Sequence, residues 1–233
     1  IERAGNLIPQ LNKFNRLEYK NIAAGFRLIL WGLFKKTVIA DNFSYYVDLT
    51  YSNTSQFEGF QIILACIFFS FQVYADFSGY SDIAIGSAKI IGINLMDNFK
   101  APFRAKSINE FWKRFHISLY SWLMDYVYNT IVIYLRYHKE KAIISGIGIT
   151  LILSGLWHGA GWTFLIYGLC HAIALIFEYL TKKYRKKALK ILPNTFVNCL
   201  TICATFSFFT FSLIFFRSPD LTTAIMVIKK GLL

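Results

Sequence analysis

Residues 142–180 read AIISGIGITLILSGLWHGAGWTFLIYGLCHAIALIFEYL, and this stretch decides the fold class. It holds no Lys, Arg or Asp, and its single acid, Glu178, stands near its end. Basic clusters flank it at 136–141 and 182–190. Apolar runs of this kind are solvated by lipid, and the positive-inside rule keeps basic loops on the cytoplasmic face. Two ends on one face require an even number of crossings, which two helical legs turning near 157–162 provide. The first leg has about 16 residues, roughly 24 Å of helix, short of the roughly 30 Å hydrocarbon core. The turn is therefore expected inside the membrane, and it carries Gly155-Leu-Trp-His158-Gly-Ala-Gly-Trp162.

Toward the N-terminus, residues 97–116 are basic and amphipathic. Lys100, Arg104, Lys106, Lys113 and Arg114 alternate with Phe99, Phe103, Phe111, Trp112 and Phe115. Ser107-Ile-Asn-Glu110 has capping-box spacing, which predicts a helix start at Ser107 and an interfacial helix on the cytoplasmic side. Residues 117–135, with Asp125 and many aromatics, read as a span or a membrane-lying segment. Residues 22–40 read as a span whose Arg27, Lys35 and Lys36 snorkel or face protein. An outward acidic loop is expected at 41–58 and a second span at 59–75. Asp76-Phe-Ser-Gly-Tyr-Ser-Asp82 is too polar for lipid and contains the helix-weakening Gly79, so it is read as a break against protein or a cavity. That leaves 83–95 as a partial or re-entrant helix. Beyond the hairpin, Pro193 precedes a last span at 196–216, and Arg217-Ser-Pro-Asp220 ends it before another amphipathic stretch.

Composition agrees. Of 233 residues 55% are hydrophobic, 18% aromatic and 16% charged, with a mean hydropathy of +0.44, whereas a soluble domain carries about 25% charged residues. The net charge of +12 is segregated rather than spread: 37–88 has no Lys or Arg, only Asp41, Asp48, Glu58, Asp76 and Asp82. No nucleic-acid motif accompanies it, so a nucleic-acid partner is not expected. Anionic headgroups or an acidic cytoplasmic partner fit the basic face. Cys66, Cys170, Cys199 and Cys203 lie in apolar runs without metal-site spacing and read as small hydrophobes. The chain opens at Ile1 without Met or a leader pattern, and a fragment of a longer protein is expected.

His158 is the sharpest chemical feature. A histidine deep in an apolar hairpin pays for desolvation when charged, so it stays neutral and can accept a proton. An interhelical hydrogen bond explains it equally well from spacing alone. His116 reads first as an interface histidine, His171 as an interhelical donor, and His138 as a solvated loop residue. Asp76 and Asp82 are six apart and share no helical face; they converge on a cavity or cap two helix ends. No G-x-S-x-G elbow, P-loop or H-E-x-x-H is present, and the histidine spacing asks for no metal.

Four ordered motifs carry a family resemblance: Gln72-Val-Tyr-Ala-Asp-Phe-Ser-Gly-Tyr-Ser-Asp-Ile-Ala-Ile-Gly86, Asn98-Phe-Lys-Ala-Pro-Phe103, Ser107-Ile-Asn-Glu-Phe-Trp-Lys-Arg-Phe-His-Ile-Ser-Leu119 and Gly155-Leu-Trp-His-Gly-Ala160. With Ile1-Glu-Arg-Ala4 before them, they resemble the alginate O-acetyltransferase-like branch of the membrane-bound O-acyltransferase family. The resemblance implies an all-α, polytopic membrane bundle around a central funnel, with re-entrant and interfacial helices. Residues 1–233 would form a single incomplete transmembrane domain. It places the catalytic histidine at His158 and the second characteristic histidine at His116. Asp76, Ser78, Tyr80, Asp82, Asn98, Trp112 and Trp157 become candidate substrate-binding residues. Phe115 stands where the family often has Trp, and Gly161 where Ser is frequent; neither touches a proposed role. The implied activity is transfer of an acyl group, acetyl in this branch, from a cytoplasmic thioester (acetyl-CoA or an acyl carrier) to hydroxyls of a cell-envelope polysaccharide. No bound cofactor and no metal are implied. A periplasmic acyltransferase, an acidic carrier protein and membrane lipid are the implied partners, and a bacterial inner membrane the location. D-alanyl transfer to teichoic acid is the near alternative; a transporter or channel is the alternative from another class.

Overall fold

The computed structural model describes residues 1–13, 17–189 and 193–232. The chain enters through α1 (Ala4–Leu11), then runs along α2 (Tyr19–Leu33), a π-helical stretch (Phe34–Ala40) and α3 (Asp41–Ser52) without interruption. α4 (Phe60–Ile90) returns antiparallel to it. A largely irregular segment leads to α5 (Ile108–Trp112), α6 (Ile117–Leu123) and α7 (Asn129–Tyr134). The hairpin α8 (Glu140–Trp157) and α9 (Trp162–Leu189) follows, then α10 (Asn194–Arg217) and α11 (Leu221–Gly231). Among the described residues there is no strand, and four helical stretches are long and apolar enough to span a bilayer: Phe60–Ile90, Glu140–Trp157, Trp162–Arg185 and Asn194–Arg217. Their outer faces carry Phe60, Ile173 and Phe177, all more than half exposed. In water such faces would be a liability; in hydrocarbon they are the expected boundary.

The hairpin and the final span are where the charge pattern and Pro193 place them, with the turn at residues 158–161. Three expectations for the first half are corrected. Residues 41–52 are helix rather than loop. Val47, Thr50 and Tyr51 fall on one face and are buried, and α3 packs against α4. The polar side chains that suggested a loop bond back to the preceding turn, as Asn42 to Val38 O and Thr50 to Tyr46 O. The basic segment 97–116 is helical only over a 3-10 turn and α5, and Phe111, Trp112 and Phe115 are buried in the protein core rather than lying on a surface.

The third correction concerns Gly79, which breaks nothing. α4 is one helix of 31 residues straight through the Asp76–Asp82 cluster. Gly25 and Gly32 of α2 meet Gly86 and Gly79 of α4, and a β-carbon on Gly79 would lie 2.7 Å from the Gly32 carbonyl. The glycines therefore let two backbones touch. That approach also supplies the charges the apolar run lacked. Lys35 Nζ donates to Ser78 Oγ at 3.0 Å and pairs with Asp82 at 2.7 Å, while Lys36 pairs with Asp76. Both lysines lie in the π-helical stretch. The Lys35–Asp82 pair is mostly buried, so Lys35→Ala strands a carboxylate; removing one partner of a buried pair costs about 3–5 kcal/mol, and partial exposure puts this one at about 2 kcal/mol. Thermal unfolding of the purified full-length protein should show the loss, and the double replacement Lys35→Leu with Asp82→Leu should recover most of it.

Candidate active site

The site is built where the irregular segment, the hairpin turn and α10 meet. His116 has a left-handed backbone, φ 51° and ψ 51°, immediately before α6. A non-glycine residue holds that conformation only when its surroundings impose it. Here Asn98 does so. Its carbonyl accepts from Ile117 N at 3.0 Å, and its Oδ1 accepts from Ser118 N at 3.1 Å and Ser118 Oγ at 2.9 Å. A backbone N–H can only donate, so the atom facing Ser118 is the amide oxygen. His116 Nδ1, 3.2 Å from that oxygen, must then carry the ring proton. Nε2 is left as a bare lone pair, buried and without a partner among the described residues.

A chamber of about 400 Å³ has both His116 and His158 in its lining. His158 closes the last turn of α8, with its N–H on Gly155 O at 3.1 Å. Its ring sits in an aromatic cage: Phe216 edge-on at 4.9 Å, Trp157 at 5.1 Å, Tyr167 at 6.2 Å and Phe164 stacked at 6.4 Å. Trp157 also faces His116, ring centroids 6.0 Å apart. Neither ring nitrogen of His158 is hydrogen-bonded within the described residues. His116 and His158 thus line one aromatic-walled space.

Of the sequence-derived candidates, Asp76, Trp112 and Trp157 line this chamber with the two histidines, and Asn98 stands behind His116. Ser78 and Asp82 are taken up by Lys35, and Tyr80 is 65% exposed; none of the three lines the chamber. Sequence reading passed over Gln72, whose side-chain oxygen is buried without a partner among the described residues, and over Tyr167 and Phe216. Gln72 could have been found: it is one turn from Asp76, a polar residue inside an apolar run. Tyr167 and Phe216 carried no such signal among so many aromatics. His171 is interhelical, as its position in the hairpin suggested. Its Nδ1 accepts from Trp112 Nε1 at 3.3 Å, and its Nε2 donates to Ser212 Oγ at 3.0 Å, which in turn donates to Phe209 O.

A second cavity of about 460 Å³ opens beside the first. Exposed Lys113 and Lys182, with Arg185, give it a basic rim; Leu151, Ile147 and Leu175 form apolar walls. The hydroxyls of Thr150 and Ser154, one turn apart on α8, are buried without partners among the described residues. Glu178, the lone acid of residues 142–180, accepts from Ile108 N at 2.8 Å and Asn109 N at 3.2 Å. Ser107 Oγ accepts from Glu110 N at 3.1 Å, the predicted cap. Together they satisfy the first N–H groups of α5. No group of residues suited to a metal ion occurs among the described residues.

A family model for MBOAT, the membrane-bound O-acyltransferase family, matches residues 9–218. A peptidoglycan O-acetyltransferase of Helicobacter pylori is 37% identical over 98% of this chain and 43% of its own length. A probable alginate O-acetylase of Pseudomonas aeruginosa is 33% identical over 96% of this chain and 41% of its own. A teichoic acid D-alanyltransferase of Bacillus subtilis is 35% identical over 64% of this chain and 39% of its own. The chain spans less than half the length of each of these relatives.

Proposed function

Because this chain belongs to the membrane-bound O-acyltransferase family, we propose that, within its full-length protein, it moves an acyl group from a thioester to hydroxyls of a cell-envelope glycan. The observation that carries the proposal is the shared chamber with His158 and His116 on its wall. His158 takes the proton of the acceptor hydroxyl, and the oxygen attacks the thioester carbon. The new C–O bond forms as the C–S bond breaks, and the proton passes from His158 to the leaving sulfur. Such general-base catalysis is worth about 10²–10⁴-fold. His116 has a different part. While Nδ1 keeps its proton for Asn98, Nε2 has no hydrogen to give to a developing oxyanion; it accepts from the hydroxyl and orients it.

The basic-rimmed cavity is the donor's entrance in this reading. Its lysines suit the phosphates of a coenzyme or an acidic carrier protein, and its unpartnered hydroxyls suit amide groups along a thioester arm. The acyl group is acetyl, on the likeness to the Helicobacter and Pseudomonas proteins, and a bacterial inner membrane is the setting, crossed several times. A periplasmic acyltransferase completes delivery. Full-length protein in proteoliposomes, given [14C]acetyl thioester on one side and glycan with the periplasmic acyltransferase on the other, tests this. Label should reach the glycan. Solute flux without transfer would point instead to a transporter, and label transferred only from D-alanyl donors to the D-alanyl alternative.

A further inference from the structure

Asn98 counts among the candidate substrate-binding residues, yet its side chain is taken up by the protein. Oδ1 accepts from Ser118 N, Ser118 Oγ and His116 Nδ1, and Nδ2 donates to Ser81 Oγ of α4 at 3.3 Å. A reversed amide would set an N–H against Ser118 N, donor against donor, so the orientation is fixed. The segment that carries Asn98 is held as well. Lys100 N donates to Arg114 O at 2.9 Å, and Phe99 and Phe115 form an antiparallel bridge. Phe77 of α4 stands edge-on to Phe99 at 5.1 Å and to His116 at 4.6 Å. A partner held at its backbone and at both ends of its side chain dictates where the imidazole proton sits.

What this partner lacks is charge. The three donors at Oδ1 are a backbone N–H, a hydroxyl and an imidazole N–H, and all three would serve a carboxylate equally well. Ser81 Oγ could then donate to the second oxygen, since a hydroxyl either donates or accepts. An aspartate here would form the Asp–His pair of hydrolytic triads, which orients the imidazole and also stabilises its protonated form. Asparagine gives the orientation alone.

We propose that Asn98 is a positioning residue that divides the labour of the two histidines. It fixes His116 as a hydrogen-bond acceptor while withholding the charge that would make that ring a general base. The inference rests on the proposed function, in which His158 removes the hydroxyl proton. It moves Asn98 from the residues that touch substrate to those that act through another side chain.

The test uses full-length protein in the proteoliposome assay, with acetyl-CoA as the donor probe. Asn98→Leu removes the acceptor and should lower kcat by about 10–100-fold, the scale seen when the partner orienting a ligating histidine is lost, with little change in KM for acetyl-CoA. The decisive variant is Asn98→Asp placed in a His158→Ala background. There the carboxylate makes His116 basic enough to take the hydroxyl proton at Nε2 and pass it to the leaving sulfur. Residual transfer should rise at least about tenfold over His158→Ala alone, a partial return of general-base catalysis. An asparagine that merely held the loop together would give no gain, and equal residual rates overturn the inference. A readout independent of activity is the nitrogen NMR spectrum of protein labelled at its histidines, with the His116 signals identified by their loss in His116→Gln. Those signals should show a protonated Nδ1 and a bare Nε2, and a mixture of tautomers in Asn98→Leu. A proton on Nε2 in the wild type overturns the inference. If the wild type transfers from no thioester while its His116 tautomer still depends on Asn98, the proposed function fails and the hold of Asn98 on that proton stands.

Discussion

Replacing His158 by Ala in the full-length protein should abolish acyl transfer to the glycan, a loss of about 10²–10⁴-fold or more, while the protein still inserts and purifies normally. The fold gives reason to expect both halves of that result. His158 is joined to the rest of the structure through aromatic contacts and its own backbone; no side-chain hydrogen bond is lost among the described residues when the imidazole goes. Its caging rings remain packed on one another, as Phe164 with Phe216 and Tyr167 with Phe216. His116→Ala differs, because it frees Asn98 Oδ1 from one of its donors and removes the side chain from a left-handed position. Comparing the two variants by transfer rate and unfolding temperature separates chemistry from scaffolding. Comparable transfer by His158→Ala and wild type would remove the catalytic assignment.

A large loss of stability is expected at Gly79. An alanine there would place its β-carbon 2.7 Å from the Gly32 carbonyl and 3.3 Å from Lys36 N. Both are backbone atoms of a helix, so no side chain can swing aside, and α2 and α4 must move apart. Overpacking costs about 1–3 kcal/mol, and this case belongs at the upper end. Separation would also stretch the Lys35–Asp82 and Lys36–Asp76 pairs on the same seam. Gly148→Ala is the control: nothing lies within 4 Å of its added carbon, so the substitution should be neutral or stabilise the helix by about 0.5–1 kcal/mol. Unfolding midpoints of the two variants in one detergent should therefore move in opposite senses, or Gly79→Ala alone should fall.

Why the sequence was read correctly in one half and not the other has a physical basis. The hairpin announces itself: its apolar run is uninterrupted, its flanks share one charge sign, and its turn is marked by three glycines around His158, Gly155, Gly159 and Gly161. The first half hides because its polar residues are satisfied by distant partners. Lys35 and Lys36 looked costly in a span and Asp76 and Asp82 looked costly beyond one; each resolves the other, across about 40 positions of sequence. Gly79 was a helix breaker in isolation and a contact surface only once Gly32 faced it. Likewise the aromatics of 97–116 alternate with basic residues as an interfacial helix would, but the short α5 turns Phe111 and Trp112 into the core. At the site, the two histidines were legible from their motifs. What was not legible was their order of support: Asn98 fixing the proton on His116, and His171 fixing Trp112.

A structure of the full-length protein bound to a non-hydrolysable acetyl-thioester analogue would examine the central assignment most directly. The acyl carbon should lie in the chamber between His158 and the Nε2 of His116, with the arm running past Trp112 into the basic-rimmed cavity. An acyl carbon seated elsewhere, with both imidazoles out of hydrogen-bond reach of it and of any acceptor hydroxyl, would contradict the account.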